Sequence, residues 1–162
     1  MDLAKGNVRF STGVVGSLYA AVRSYTKEGD SVIICSPVYY TFYDAILNAG
    51  RKLVTCELDN HEGYYTLDLA KFEKEIADND VKMFILCSPH NPVSRAWTEE
   101  ELAGMFDICN KHGVFVLSDQ ILHHVTYGDH TFLSSCIVKG GADTANLTLM
   151  TAVSNTFNVP VI

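Results

Sequence analysis

The strongest constraint on how this chain folds is an alternation of short, almost wholly apolar runs with segments of helical spacing. Four runs, at residues 31–35, 82–87, 114–118 and 147–151, are rich in β-branched or large apolar side chains and bounded by turn formers, which predicts strands. A fifth, over 52–58, has the same character more weakly. Apolar residues recur with helical period over 14–27, 39–48, 67–77 and 99–112. A run such as Met83-Phe84-Ile85-Leu86 has no polar alternation, so both its faces are expected to be covered. Strands joined through helices are usually parallel. The expected fold is therefore α/β, a three-layer α/β/α arrangement around a mostly parallel sheet. The 162 residues suit one such domain, with no linker, repeat or low-complexity tract.

Local signals sharpen some boundaries. Thr98 followed by Glu99, Glu100 and Glu101 places an N-cap hydroxyl and three carboxylates at a helix start, with Glu101 at the capping-box position, and Lys111-His112-Gly113 supplies the opposite chemistry at its end. Gly29-Asp30 marks a turn, and Asn60-His61-Glu62-Gly63 reads as a loop. Regular pattern fades from Asp119 to Asn146, and irregular stretches of that length tend to be functional.

Composition excludes several classes of function. Twelve Lys plus Arg against nineteen Asp plus Glu give a net charge of −7, which argues against nucleic acid as a partner, since that requires a broad basic field. No run approaches the roughly 18 consecutive apolar residues of a membrane helix, so no membrane partner is expected. Asp2, Lys5 and Arg9 interrupt the first ten residues where a signal peptide would have its apolar core, and the expected compartment is the cytoplasm. Five cysteines, an odd number with no Cys-x-x-Cys pair, suggest neither a disulfide framework nor a metal site.

Ligands of open parallel sheets bind beyond the carboxyl ends of the strands. Here those ends run into Ser36-Pro37-Val38-Tyr39-Tyr40, Ser88-Pro89-His90-Asn91-Pro92, Ser118-Asp119-Gln120 and Thr151-Ala152-Val153-Ser154-Asn155. Taken singly, each is a turn or a cap. Taken together they gather two tyrosines, two asparagines, an aspartate and several hydroxyls on one rim.

These rim segments, with Gly13-Val14-Val15, Leu86-Cys87-Ser88-Pro89-His90-Asn91-Pro92, Trp97-Thr98-Glu99-Glu100-Glu101-Leu102 and Ser154-Asn155-Thr156-Phe157-Asn158, resemble the fold-type I pyridoxal-phosphate enzymes. Among those, the similarity is to the C–S lyases, or cystathionine β-lyases, of the class I/II aminotransferase-like family. It runs from about Phe10 to Pro160, and the Cys-Ser-Pro-His-Asn-Pro string followed by Trp-Thr carries most of its specificity. The resemblance implies pyridoxal 5'-phosphate as cofactor. It implies Asp119 against the pyridine nitrogen, where a carboxylate keeps the ring protonated, and Asn91 donating to the ring 3-oxygen. Tyr39 would stack on the ring, the amides of Gly13, Val14 and Val15 would receive the phosphate at a helix start, and Ser154 would add a hydroxyl. From the residues alone, Asp119 reads equally as a helix N-cap, Asn91 as a residue pinning the turn before Pro92, and Tyr39 as a half-buried aromatic at a helix start.

One residue disagrees with the pattern. The family's Schiff-base lysine lies in a Ser-Lys-Thr-Phe-Asn context, and here Asn155 occupies that catalytic position. An amide nitrogen is delocalised into its carbonyl and is neither a nucleophile nor a base, so the covalent anchor and the proton shuttle are both lost. Ser94 stands where glycine is usual, and Gln120 and Leu122 stand where Glu and His are usual, with His123 and His124 following one and two places late.

The resemblance further implies a homodimer in complete relatives and a C-terminal small domain whose arginine clamps the substrate carboxylate. The chain ends at Ile162, seven residues past the lysine position. Residues 1–162 are therefore expected to form a single cofactor-binding large-domain fragment, with the small domain absent and the apolar ending Val159-Pro160-Val161-Ile162 exposed. The implied reaction is β-elimination from a sulfur-containing amino acid of the cystathionine or cysteine type, releasing a thiol, pyruvate and ammonia, with this chain itself inactive. The alternatives are a class I/II aminotransferase and a non-catalytic or degenerate cofactor-binding protein.

Overall fold

The computed structural model describes residues 7–128, 131–138 and 146–159. In chain order the elements are α1 (Val14–Tyr25), β1 (Ser31–Ser36), α2 (Thr41–Leu47), β2 (Lys52–Glu57), β3 (Asp59–His61), β4 (Tyr64–Thr66), α3 (Leu69–Asp78), β5 (Val81–Cys87), α4 (Glu99–His112), β6 (Phe115–Asp119), β7 (Leu147–Met150) and α5 (Ser154–Phe157). Five strands form one sheet in the order β2-β1-β5-β6-β7, and every pairing in it is parallel.

Each central strand is apolar on both faces because each face meets a helical layer. Val32, Ile34, Met83, Ile85 and Leu117 point to one side, where Leu18 and Val22 of α1 and Phe42 and Ile46 of α2 cover them. Ile33, Phe84, Leu86 and Val116 point to the other, against Phe72 and Ile76 of α3 and Leu102 and Phe106 of α4. The three-layer expectation holds. From β1 the chain steps outward to β2, then crosses back through α3 to enter β5 on the other side of β1. The β1–β5 border is thus the point where the winding reverses, and the carboxyl ends of its strands splay a crevice open.

Several boundaries differ from the sequence reading for identifiable reasons. Helix α3 starts at Leu69, two residues late, because the Asp68 carboxylate caps it by accepting from the Ala70 and Lys71 amides at 2.8 and 3.1 Å. Helix α1 stops at Tyr25 because Thr26 takes an extended conformation and leads into a turn closed by the Asp30 carboxylate on the Lys27 amide. Tyr39 and Tyr40 precede α2, with the Tyr39 carbonyl accepting from Phe42 in the turn that enters it. Val114 is not in β6, since its N–H goes to the Cys109 carbonyl beyond the C-terminus of α4. Residues 60–63 are not an open loop. They lie in the β3–β4 hairpin, whose two central residues, Glu62 and Gly63, both have positive φ. Glu at such a position is an uncommon turn signal, which is why the hairpin escapes a pattern search.

Helix α4 has the predicted bounds. Thr98 Oγ1 accepts from the Glu101 amide, the Glu101 carboxylate accepts from the Thr98 amide, and Gly113 closes the helix at φ 66°. Among the described residues between Asp119 and Asn146 there are turns and no helix or strand. All five cysteines are free thiols, four of them buried. No described helix is long and apolar enough to cross a membrane. Of the apolar ending, Val159 is exposed and residues 160–162 lie outside the described residues.

Candidate functional site

The crevice predicted by the topology is present. A cavity of about 460 Å³ lies beyond the carboxyl ends of β1, β5 and β6, bounded by the start of α1 and by α5. Its wall includes Gly13, Val14, Val15, Tyr39, Asn91, Asp119, Ser154 and Asn155, so all eight residues singled out in the sequence share one chamber. Thr12, Thr41, Cys87, Pro89 and Leu122 complete much of the rest.

Each group arrives by a separate local device. Gly13 precedes α1 at φ 111°, a conformation that favours glycine, and no side chain caps the helix. The first-turn amides and the positive dipole end are thus left facing the cavity wall with no acidic residue near them in the sequence. Asp119 is the last residue of β6, 6% exposed, and its Oδ1 accepts from the Ile121 amide at 3.0 Å. The N-cap alternative for Asp119 is excluded, because turns and not a helix follow β6. Among the described residues no cationic side chain pairs with it. Burial accordingly pushes its carboxyl up to about 6. Tyr39 lies edge-on to Tyr40 and Phe42, and burial, then Tyr40, raises its phenol.

Among the described residues, the cavity wall contains no lysine, arginine or histidine, and Asp119 is its one acidic side chain. It also contains an unspent polar group, since Thr41 Oγ1 is buried without a hydrogen-bond partner. Cys87 is held in the turn it precedes, accepting from the Asn91 amide and donating to the Pro89 carbonyl, both at 3.4 Å, and burial pushes its thiol up to about 12. It is a packing group and a poor nucleophile.

The Asn91 turn is braced from behind. His90 is 2% exposed, contacts Trp97 edge-on, and its Nε2 donates to the Pro37 carbonyl at 3.0 Å, tying the loop after β5 to the loop after β1. Burial lowers its imidazole to about 4. Arg95, also buried, reaches both carboxylate oxygens of Glu101 at 2.7 Å, the Tyr65 carbonyl, and the Tyr64 ring. The guanidinium thereby links the β5 loop, α4 and the hairpin. Ser94 has φ 57°, the backbone state for which glycine is the usual choice. A second cavity, also about 460 Å³, adjoins the first across Pro89, Asn91 and Leu122.

Leu122, not a histidine, faces the main cavity. His123 and His124 do not line it and lie against each other, their ring centroids 3.7 Å apart and their planes tilted by 44°, with His123 Nδ1 2.8 Å from the Gln120 carbonyl. Sequence reasoning missed Thr41 and Leu18 as wall residues, because helical spacing marks both as ordinary core positions.

The fit to a pyridine phosphate can be judged from this wall. A helix start with free amides suits a phosphate, a buried carboxylate with no cation suits a protonated ring nitrogen, and the orphaned Thr41 hydroxyl marks a place for a polar ligand atom. A chamber of this size is within the usual range for small-molecule sites, roughly 300–1,000 Å³.

Comparison with known proteins gives a consistent picture. The family model described as "Aminotransferase class I and II" matches residues 1–160. Cystathionine beta-lyase PatB of Bacillus subtilis is 37% identical over 156 residues, covering 94% of this chain and 39% of PatB. The crystal structure of cystalysin from Treponema denticola, which contains a pyridoxal 5'-phosphate cofactor, superposes with a TM-score of 0.87 at 41% identity, over 93% of this chain and 38% of cystalysin. The pyridoxal-phosphate-bound C–S lyase of Staphylococcus hominis superposes with a TM-score of 0.92 at 28% identity, over 98% of this chain and 40% of that one. The chain thus spans about two fifths of the length of the relatives it matches.

Proposed function

This chain belongs to the aminotransferase class I and II family, and from that membership we propose that it is a pyridoxal-phosphate-binding large domain of the C–S lyase kind. We propose further that, with Asn155 in place of the lysine, it binds the cofactor without a covalent bond and does not complete turnover. The observation that carries this reading is the convergence of Gly13, Val14, Val15, Tyr39, Asn91, Asp119, Ser154 and Asn155 on one cavity at the sheet's reversal point. The similarity to PatB and to the C–S lyase of Staphylococcus hominis supports the lyase branch over the transaminases.

In this reading the amides at the start of α1 and the Ser154 hydroxyl hold the phosphate, with no help from the chain's net charge of −7. Asp119 holds the proton on the ring nitrogen, because a buried carboxylate without a partner is stabilised by a protonated nitrogen beside it. Tyr39 lies against the ring, and Asn91 donates to the ring oxygen. When bound, pyridoxal phosphate supplies the electron sink that makes a substrate Cα proton removable. Asn155 can orient a neighbour through its amide but cannot take that proton, since the amide is essentially non-basic. Leu122 offers no hydrogen bond where an imidazole is usual. The names of PatB and of the Staphylococcus hominis C–S lyase support a sulfur-containing amino acid as the substrate class.

The test is a pair of measurements on the purified 162-residue chain. Pyridoxal phosphate should bind saturably without the absorption of a lysine-linked cofactor, and cystathionine should yield no pyruvate. Pyruvate release above the rate of free pyridoxal phosphate would overturn the turnover half of the proposal, and absence of any binding would overturn the cofactor half.

A further inference from the structure

The charge inventory of the main cavity says more about its ligand than the family membership does. Among the described residues Asp119 is the single acidic group in the wall, and no lysine, arginine or histidine lines it. At the lysine position Asn155 contributes a carbonyl oxygen and an amide N–H, neither charged, on α5 at the cavity's edge. Buried Thr41 Oγ1 adds a further unpartnered oxygen. With Asp119 turned to the ring nitrogen, the described wall has spare acceptors at Asn155 and Thr41 and lacks the positive charge that a lysine would have brought.

We infer that this pocket selects the amine form of its ligand over the aldehyde form, that is, pyridoxamine 5'-phosphate over pyridoxal 5'-phosphate, with Asn155 as the specificity-determining residue. This rests on the proposed cofactor-binding reading of the same cavity. Both ligands carry the same phosphate and ring, so the grips at Gly13 and Asp119 do not discriminate between them. They differ at the ring's 4-substituent. An aldehyde there is a neutral acceptor, and without a lysine amine to add to its carbon it gains no covalent bond. An aminomethyl group is protonated near neutral pH and donates up to three hydrogen bonds. It brings the missing charge and meets the Asn155 carbonyl as a charge-assisted donor, the stronger class of hydrogen bond.

The experiment is an equilibrium titration of the full chain at pH 7.5 with pyridoxamine phosphate and, separately, with pyridoxal phosphate. Borohydride treatment and mass measurement accompany the second, to detect aldehyde attached to surface lysines. One charge-assisted hydrogen bond predicts roughly tenfold tighter binding of the amine form. Asn155→Leu, which keeps the size and removes the acceptor, should reduce that ratio to about one. In Asn155→Lys the order should invert: the lysine nitrogen bonds to the aldehyde carbon, water leaves, and borohydride fixes one cofactor per chain at residue 155. Equal affinities, or a tighter aldehyde, in the unaltered chain would overturn the inference and leave the cofactor pocket standing. A preference that persists in Asn155→Leu would overturn the role of Asn155. Failure of both ligands to bind would overturn the cofactor reading itself and the inference with it.

Discussion

At the residue scale the site is a balance between two buried titratable groups. Asp119 has its carboxyl raised from 3.8 to about 6, so the folded chain holds a proton that the unfolded chain releases. The stability this contributes is full below about pH 4 and is lost as pH rises through 6, a change of about 3 kcal/mol. His90 works in the opposite sense. Its imidazole is lowered from 6.5 to about 4, so stability is full above 6.5 and lost as pH falls toward 4, again by about 3 kcal/mol. The two contributions nearly cancel between pH 4 and 6.5. Asp119→Asn keeps the acceptor for the Ile121 amide and removes the titration. It should make the unliganded chain more stable at pH 7.5, by up to about 3 kcal/mol, and should expose the acid sensitivity of His90. Chemical denaturation at pH 4.5 and 7.5 measures this. A variant whose stability advantage is the same at both pH values would show that Asp119 is not strained by its burial.

At the scale of elements, α4 separates two kinds of contribution from adjacent positions. Thr98→Ala removes one cap hydrogen bond and should cost about 1 kcal/mol. Glu101→Ala removes the reciprocal cap and also leaves the buried Arg95 guanidinium without its carboxylate, and should cost roughly 3–5 kcal/mol. Urea unfolding of the two variants compares them directly. Similar losses for both would mean that the Arg95–Glu101 pair contributes little beyond the cap.

The same helix shows what a sequence can disclose. Its start and stop are written in local chemistry, Thr98 with Glu101 and then Gly113, and the predicted bounds match the observed ones. The sheet strands were legible because burial on both faces leaves an unbroken apolar run. The β3–β4 hairpin was not, since its strands are short and mostly exposed and Glu62 is an unusual residue at positive φ. Arg95 was equally silent, because nothing local marks an arginine that is buried by a hairpin thirty residues upstream. For the site, positions were legible through motif spacing, whereas the lack of a cationic wall residue among the described ones and the orphaned Thr41 hydroxyl emerge only once the strands are laid side by side.

At the scale of the whole molecule, topology and ligand chemistry are connected. A parallel sheet that reverses its winding between β1 and β5 opens a crevice there, and this sequence furnishes the crevice with a bare helix start at one position and a buried, unpaired carboxylate at another. Those two features together define a ligand that is anionic in one part and protonated in another, which is the charge pattern of a pyridine phosphate. The most direct test is the binding of pyridoxal phosphate to the unaltered chain and to Asp119→Asn at pH 7.5, measured by equilibrium dialysis. Saturable one-to-one binding is expected, weakening by roughly tenfold to a hundredfold in the variant through the loss of one charge-assisted hydrogen bond to the ring nitrogen. Binding of equal strength in both proteins would contradict it.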